Sequence, residues 1–285
     1  MLETTVEKFD QYCNHLFVKG TTPNLPGILV GGTVQNQNRY KLICQKYKKI
    51  YRFATLYDTT NRIPVFSAYT FTGDGGKRPE NKSWMIEPQL ENITIKEMKT
   101  QEELKVHNNN IDIIINHQAA DADYYKQYRK NNKKFLDRGH LFPCSYAPDN
   151  DTKMSTFTLT NIVPQYHTFN GGSWEKMERN VRKSLEENCT NNNKIKAYVV
   201  TGAVPNKKNN KLKERVNIPD ILWTALCCYN NKKNKWMAGA HWGENVPNGK
   251  TFKLKTLGEL EDKLKNSYKV DGFQVFPKKC KEPLF

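Results

Sequence analysis

No run in the sequence comes near the roughly 20 apolar residues that a membrane-spanning helix needs. The opening Met1-Leu2-Glu3-Thr4-Thr5 also lacks the basic start and apolar stretch of a secretory signal. Either the chain never carried a signal or it is a mature form begun by an added Met. Internal repeats and low-complexity linkers are missing too, and no composition shift marks a boundary. One domain spanning residues 1–285 is therefore the expectation. Cys13, Cys44, Cys144, Cys189, Cys227, Cys228 and Cys280 form no CxxC pair and keep no company with a paired-His spacing, which argues against a zinc site. Their scatter suits a few long-range disulfides in an oxidising compartment, and the odd count leaves at least one cysteine over. Spacing alone cannot give the connectivity; the pairing expected is Cys13 with Cys44, tying the N-terminal arm to the first strand region.

Acidic charge is in short supply. Twenty-nine Asp and Glu face 45 Lys and Arg, for a net charge of +16. Such a surface attracts polyanions by long-range steering and by release of counterions from a phosphate backbone. Nucleic acid leads the candidates, ahead of acidic glycans and anionic membranes. A cationic membrane-active toxin would need a basic helix with a broad apolar face, and the helical pattern at 174–188 is charged over too much of its surface. Asn/Lys patches at 191–194, 206–213 and 230–235 read as solvated turns.

Strand signals are frequent. Arg52 to Asp58 and Ile63 to Phe71 are rich in β-branched and aromatic residues, with Thr59-Thr60-Asn61-Arg62 as a hairpin turn between them. Further strands are expected at 156–163, 195–203, 222–229, 235–242 and 272–276, and helices at 121–131, 174–188 and 257–267. Many strands with few helices point to an α+β fold around a mainly antiparallel central sheet.

The chemistry concentrates between Leu136 and Glu178. Asp137-Arg138-Gly139-His140 is followed by a strand ending Thr160-Asn161-Ile162-Val163-Pro164-Gln165, and then by Asn170-Gly171-Gly172-Ser173-Trp174 leading into a helix that carries Glu178. Cutting a phosphodiester needs a base for water, a cation for the developing charge and a clamp on the backbone. A neutral His suits the first task. Magnesium suits the second and asks for only one or two protein oxygens, which the Asn170 amide could offer without repelling phosphate. Glu178 lies eight residues further on, roughly 80° around an α-helix from Asn170, within reach of water around such an ion. Each residue alone has a plainer explanation: a surface ion pair, a turn glycine, a core histidine, a helix cap. Together and in order they are harder to dismiss, since any given four-residue string arises by chance in a chain this long with probability on the order of 10⁻³.

The three pieces resemble the signature of the DNA/RNA non-specific endonuclease family, within the ββα-metal (His-Me finger) superfamily. That family carries Asp-Arg-Gly-His, a Thr/Ser-Asn-Ile-x-Pro-Gln strand end, and Asn-x-Gly-x-Trp opening a helix with a Glu. The resemblance implies hydrolysis of DNA and RNA, with His140 as general base, Asn170 as the sole direct protein ligand of Mg2+ (Mn2+ being able to substitute) and Glu178 holding water on the ion. It implies supporting roles for Asp137, Asn161 and Gln165, and a place for Arg138 beside the substrate phosphate. The family also stabilises its transition state with an upstream Arg. Arg78, in Gly75-Gly76-Lys77-Arg78-Pro79, is the best candidate, with Lys82 and Arg62 as alternatives. Cys44 to Tyr47, Phe53 to Asp58, Asn61 to Tyr69 and Gln118 to Tyr124 are similar to a secreted animal branch of the family, implying that a signal has been removed and that the protein works outside the cell. The competing class is a basic binding protein that keeps the fold without turnover. Survival of His140, Asn170 and Glu178 favours the enzyme.

Overall fold

The structure is a computed structural model, and it describes every residue except 1–4, 10–11, 74, 81, 126–134, 192–193, 252–253 and 285. Eight strands build one sheet. They are β1 (Thr5–Val6), β2 (Tyr40–Tyr47), β3 (Ile50–Asp58) and β4 (Ile63–Phe71) from the first part of the chain. From the last part come β7 (Ala197–Val204), β8 (Ile221–Asn230), β9 (Lys235–Glu244) and β10 (Glu282–Pro283). Their spatial order is β1-β2-β3-β4-β7-β8-β9-β10. Every pairing is antiparallel except that of β10, which runs parallel to β9. Among the described residues five antiparallel pairs lie outside the sheet, and the one that bears on the site is the hairpin of β5 (Leu136–His140) and β6 (Ile162–Tyr166).

The β3–β4 hairpin shows why these residues turn where they do. Asp58 at the end of β3 accepts from the backbone N–H of Thr60 and Asn61 at 3.0 and 3.1 Å, curling the chain back on itself. Its second oxygen takes Arg39 Nη2 at 2.6 Å and Asn61 Nδ2 at 2.7 Å, so the carboxylate is buried but fully paired.

Period-two alternation sends side chains to the two faces of the sheet. On the back face Leu42, Cys44, Ala54, Leu56, Phe66, Ala68, Val200, Trp223 and Ala225 meet the N-terminal arm (Phe9, Leu16, Phe17) and Leu260 and Leu264 of α4 (Leu257–Tyr268). On the front face Phe53, Tyr69, Val199 and Leu226 meet Phe142 and the buried stripe Val181 and Leu185 of α3 (Glu175–Asn188). Those two lie four apart on one side of α3. The rest of the helix carries Glu175–Arg179, Arg182–Glu186 and Lys183–Glu187 pairs towards solvent. Two shorter helices, α1 (Gln101–His107) and α2 (Asn150–Ser155), start on side-chain caps from Thr100 and Asp149. Among the described residues no helix is long and apolar enough to cross a membrane.

Three disulfides form: Cys13–Cys44, as expected, with Cys189–Cys228 and Cys227–Cys280; Cys144 is free and buried.

The α+β architecture and antiparallel sheet are as the sequence suggests, but several elements differ. The strand expected at 156–163 begins only at Ile162, because Leu159–Asn161 form a 3-10 turn. Residues 272–276 contribute a single bridge, Gln274 to Asn24. Of the helix expected at 121–131, Asp121–Tyr124 is helical and 126–134 lie outside the described residues. Strand β2 is expected from the sequence only as a strand region around Cys44, without bounds. Lys41, Gln45 and Lys46 blur its apolar pattern, although Gln45 and Lys46 are buried.

Candidate active site

The β5–β6 hairpin and the start of α3 form a strand–strand–helix unit on the front face. Ile162 pairs with His140, Pro164 with Arg138 and Gln165 with Asp137. Gly139 is required by what lies over it: a Cβ there would sit 2.2 Å from Gln165 Oε1. Asn161 holds the hairpin to the sheet. Its buried amide accepts from Phe142 N–H (3.0 Å) and Ser67 Oγ (2.9 Å), and donates to the carbonyls of Phe142 and Thr156 (both 3.1 Å). Asn161 and Gln165 are thus buried and do not line the cavity described below.

His140 stands at the end of β5 between the rings of Trp84 (5.4 Å) and Phe157 (5.1 Å). Loss of solvent, and then the charge of Arg78, push its pKa down to about 3, while a hydrogen bond to the Arg138 backbone pulls the other way. The ring is therefore neutral at physiological pH. Its Nε2 has no hydrogen-bond partner.

Asn170 follows in Phe169–Trp174, a π-helical turn in which Glu175 N–H reaches back to Asn170 O and Gly172 leaves helical geometry (φ −110°, ψ −110°). The wider turn means that an α-helical rotation does not describe the relation of Asn170 to Glu178. Asp137 Oδ2 accepts from Asn170 Nδ2 at 2.9 Å and lies 2.9 Å from His167 Nδ1. With the amide nitrogen so engaged, the Asn170 side-chain oxygen is the atom left for a ligand. Glu178 is half-buried, and desolvation raises its carboxyl to about 8. Tyr146 fixes the backbone at that point, donating to Glu178 O at 2.6 Å.

These groups open on one cavity of about 450 Å³, lined by Arg78, Arg138, His140, Asn170 and Glu178, together with Cys144, Tyr146, Lys153, Glu175, Arg179 and Arg182. Asp137 sits behind it, on Asn170. Arg138 stacks over Trp84 and Tyr124 at 5.1 and 5.3 Å. The Arg78 guanidinium lies 5.1 Å over Phe157, with Lys82 at 5.9 Å from the same ring. Arg62 is elsewhere, bonded to the carbonyls of Asn116 and Arg215. Five basic side chains (Arg78, Arg138, Lys153, Arg179, Arg182) against two carboxylates make the cavity a place for a polyanion. Sequence reasoning missed Arg182 and Lys153. The signal for Arg182 was its position four residues after Glu178, on the same side of a helix; nothing local marks Lys153.

A family model described as DNA/RNA non-specific endonuclease matches residues 32–281. The chain belongs to the DNA/RNA non-specific endonuclease family. With that family it falls among the phosphodiester hydrolases. It is 29% identical over 222 residues to the endonuclease domain-containing 1 protein of Homo sapiens, covering 76% of this chain and 38% of that protein. The Mus musculus protein of the same name is 30% identical over 216 residues, with the same coverage. This chain therefore spans well under half the length of these two relatives. The Serratia marcescens nuclease is 25% identical over 199 residues, 68% of this chain and 63% of that protein. In three dimensions the chain is similar to one in the crystal structure of the EndoG/EndoGI complex. The TM-score is 0.52 at 16% identity, covering 84% of this chain and 91% of that one, a likeness of fold alone.

Proposed function

We propose that the protein is a magnesium-dependent endonuclease that hydrolyses phosphodiester bonds of both DNA and RNA, with His140 as the general base. The observation that carries this reading is the His140 ring, with Nε2 unpartnered, in the same basic cavity as an Asn170 amide that Asp137 orients. In the step, Nε2 removes a proton from water as its oxygen attacks phosphorus and the bond to the leaving oxygen breaks. Arg138 and Arg78 hold the phosphate and offset the charge that builds on it.

The residues present fit magnesium. Among the described residues no group of three or more His, Cys, Asp or Glu could form a cage, while magnesium keeps most of its waters and takes few protein oxygens. Asn170 Oδ1 would hold the ion directly and Glu178 would hold water of its shell. Bound there, the ion supplies Lewis-acid stabilisation of the phosphate and leaving oxygen. Manganese, similar in ligand preference, would substitute. The family description supports both DNA and RNA as substrates, and three disulfides support a secreted, extracellular site of action.

The test is cleavage of plasmid DNA and of RNA with and without EDTA, for the wild type and for His140→Ala and Asn170→Ala. Wild type should cut both substrates only with the ion. His140→Ala should lose about 10²–10⁴-fold in rate while anisotropy-measured binding survives. Loss of binding as well would make His140 structural. Binding by the wild type without cleavage would select the silent binding protein instead.

A further inference from the structure

Lys153 is 1% exposed, and among the described residues no carboxylate pairs with its ammonium. Instead Nζ donates to the carbonyls of Gly76 at 2.5 Å and Lys77 at 3.0 Å. Burying an ammonium is costly unless something is gained by its hydrogen bonds. Here they fasten the loop that carries Arg78.

Both sides of the fastening are built. Lys153 rides on α2, whose first turn is held by Asp149, accepting from Thr152 N–H at 2.8 Å and Thr152 Oγ1 at 2.7 Å. Arg52 of β3 reaches Thr152 Oγ1 at 3.2 Å, Asp149 at 3.5 Å and Asp151 at 3.7 Å, so the helix is anchored to the sheet. On the loop side, Gly75 presses against backbone: a Cβ there would lie 2.3 Å from Pro148 O and 2.6 Å from Ala147 O. Phe157, two residues beyond the end of α2, lies under the Arg78 guanidinium and against His140. One short stretch, residues 149–157, thereby relates the position of Arg78 to that of His140.

We propose that Lys153 is a positioning residue, clamping residues 75–78 so that Arg78 meets the phosphate in register with His140. This rests on Arg78 acting as the transition-state cation. An ångström of misplacement in such a group can cost about 100-fold in rate.

The experiment is a pair of double-mutant cycles in the full chain with magnesium. Lys153→Met removes the clamp, and Gly75→Ala pushes the loop off Pro148 without touching the lysine. Each should lower kcat about 10- to 100-fold with KM changed less than about threefold, and neither should lower it further in an Arg78→Ala background. If Lys153→Met lowers the melting temperature so far that the enzyme is not folded in the assay, Gly75→Ala decides alone. An unchanged kcat in Arg78→Ala overturns the role of Arg78, and the clamp with it. A large loss in Arg78→Ala with none in Lys153→Met or Gly75→Ala overturns the clamp only. Equal losses with and without Arg78, or a raised KM at constant kcat, would show Lys153 touching substrate itself and also overturn it.

Discussion

The two faces of the central sheet are built from the same strands, and one of them mixes polar groups into its apolar packing. On the back, apolar side chains meet the N-terminal arm and α4, and the Cys13–Cys44 and Cys227–Cys280 bridges run through that core. On the front, buried polar side chains are set among the apolar ones. Gln45 Nε2 donates to Thr55 Oγ1 and Thr160 Oγ1, Thr55 meets Ser67, and Ser67 donates to Asn161. A second chain joins Tyr69, Thr201 and Thr224. Apolar burial is non-directional, whereas a hydrogen bond fails when its geometry slips. Apolar burial on both faces contributes stability, and the front-face network also sets, through Asn161, how the β5–β6 hairpin sits on the sheet.

Cutting the back-face bridge is the severest test of that division. Replacing Cys227 and Cys280 together by Ala should cost about 4 kcal/mol in a denaturant melt, from a loop of 53 residues. The kcat of the folded enzyme should not move; a matching fall in kcat would show that the faces are not separable. On the front, Asn161→Leu strands the partners of four hydrogen bonds and should cost about 3 kcal/mol. Here kcat should fall as well, and a pure stability loss would contradict the aiming role.

Asp137→Ala acts on neither core. It frees the Asn170 amide to rotate and should weaken magnesium binding about 10- to 100-fold by calorimetry, with an unchanged melt. Unchanged affinity would remove Asp137 from the site.

The smallest effect concerns pH. With its carboxyl raised to about 8, Glu178 must lose a proton to hold water around an ion at Asn170, so magnesium affinity should rise with pH, by about tenfold in all, up to about 8 and then level. Glu178→Gln should flatten that slope. Without the ion, the folded state keeps a proton that the unfolded chain loses above 4.5, so stability falls as pH rises from there towards 8. His140 and His241, both lowered to about 3, make stability fall as pH drops from 6.5, because only the unfolded chain gains those protons.

The parts legible in the sequence are those with a local cause. Alternation and β-branching gave β3 and β4, and helical patterning at 174–188 and 257–267 gave α3 and α4. The ordered motif drew attention to His140, Asn170 and Glu178, which the fold brings to one cavity. The parts not legible have distant causes. Thr160 and Asn161 read as strand but bend into a 3-10 turn, because the Asn161 side chain takes the backbone groups of Phe142 and Thr156. Lys153 reads as one more lysine among many, and only the return of the chain to Gly76 distinguishes it.

The π-helical turn at Phe169–Trp174 places a demand on counting rather than on chemistry. A π turn holds one residue more than the α turn it replaces. Deleting Gly171 or Gly172 would let that turn relax to α geometry and swing Asn170 by about 100° relative to Glu178. His140, Asn170 and Glu178 would all remain, while the Asn170 amide and the Glu178 carboxyl would face different ways. A relative could thus keep the whole vocabulary of the site and lose its grammar through a single missing glycine.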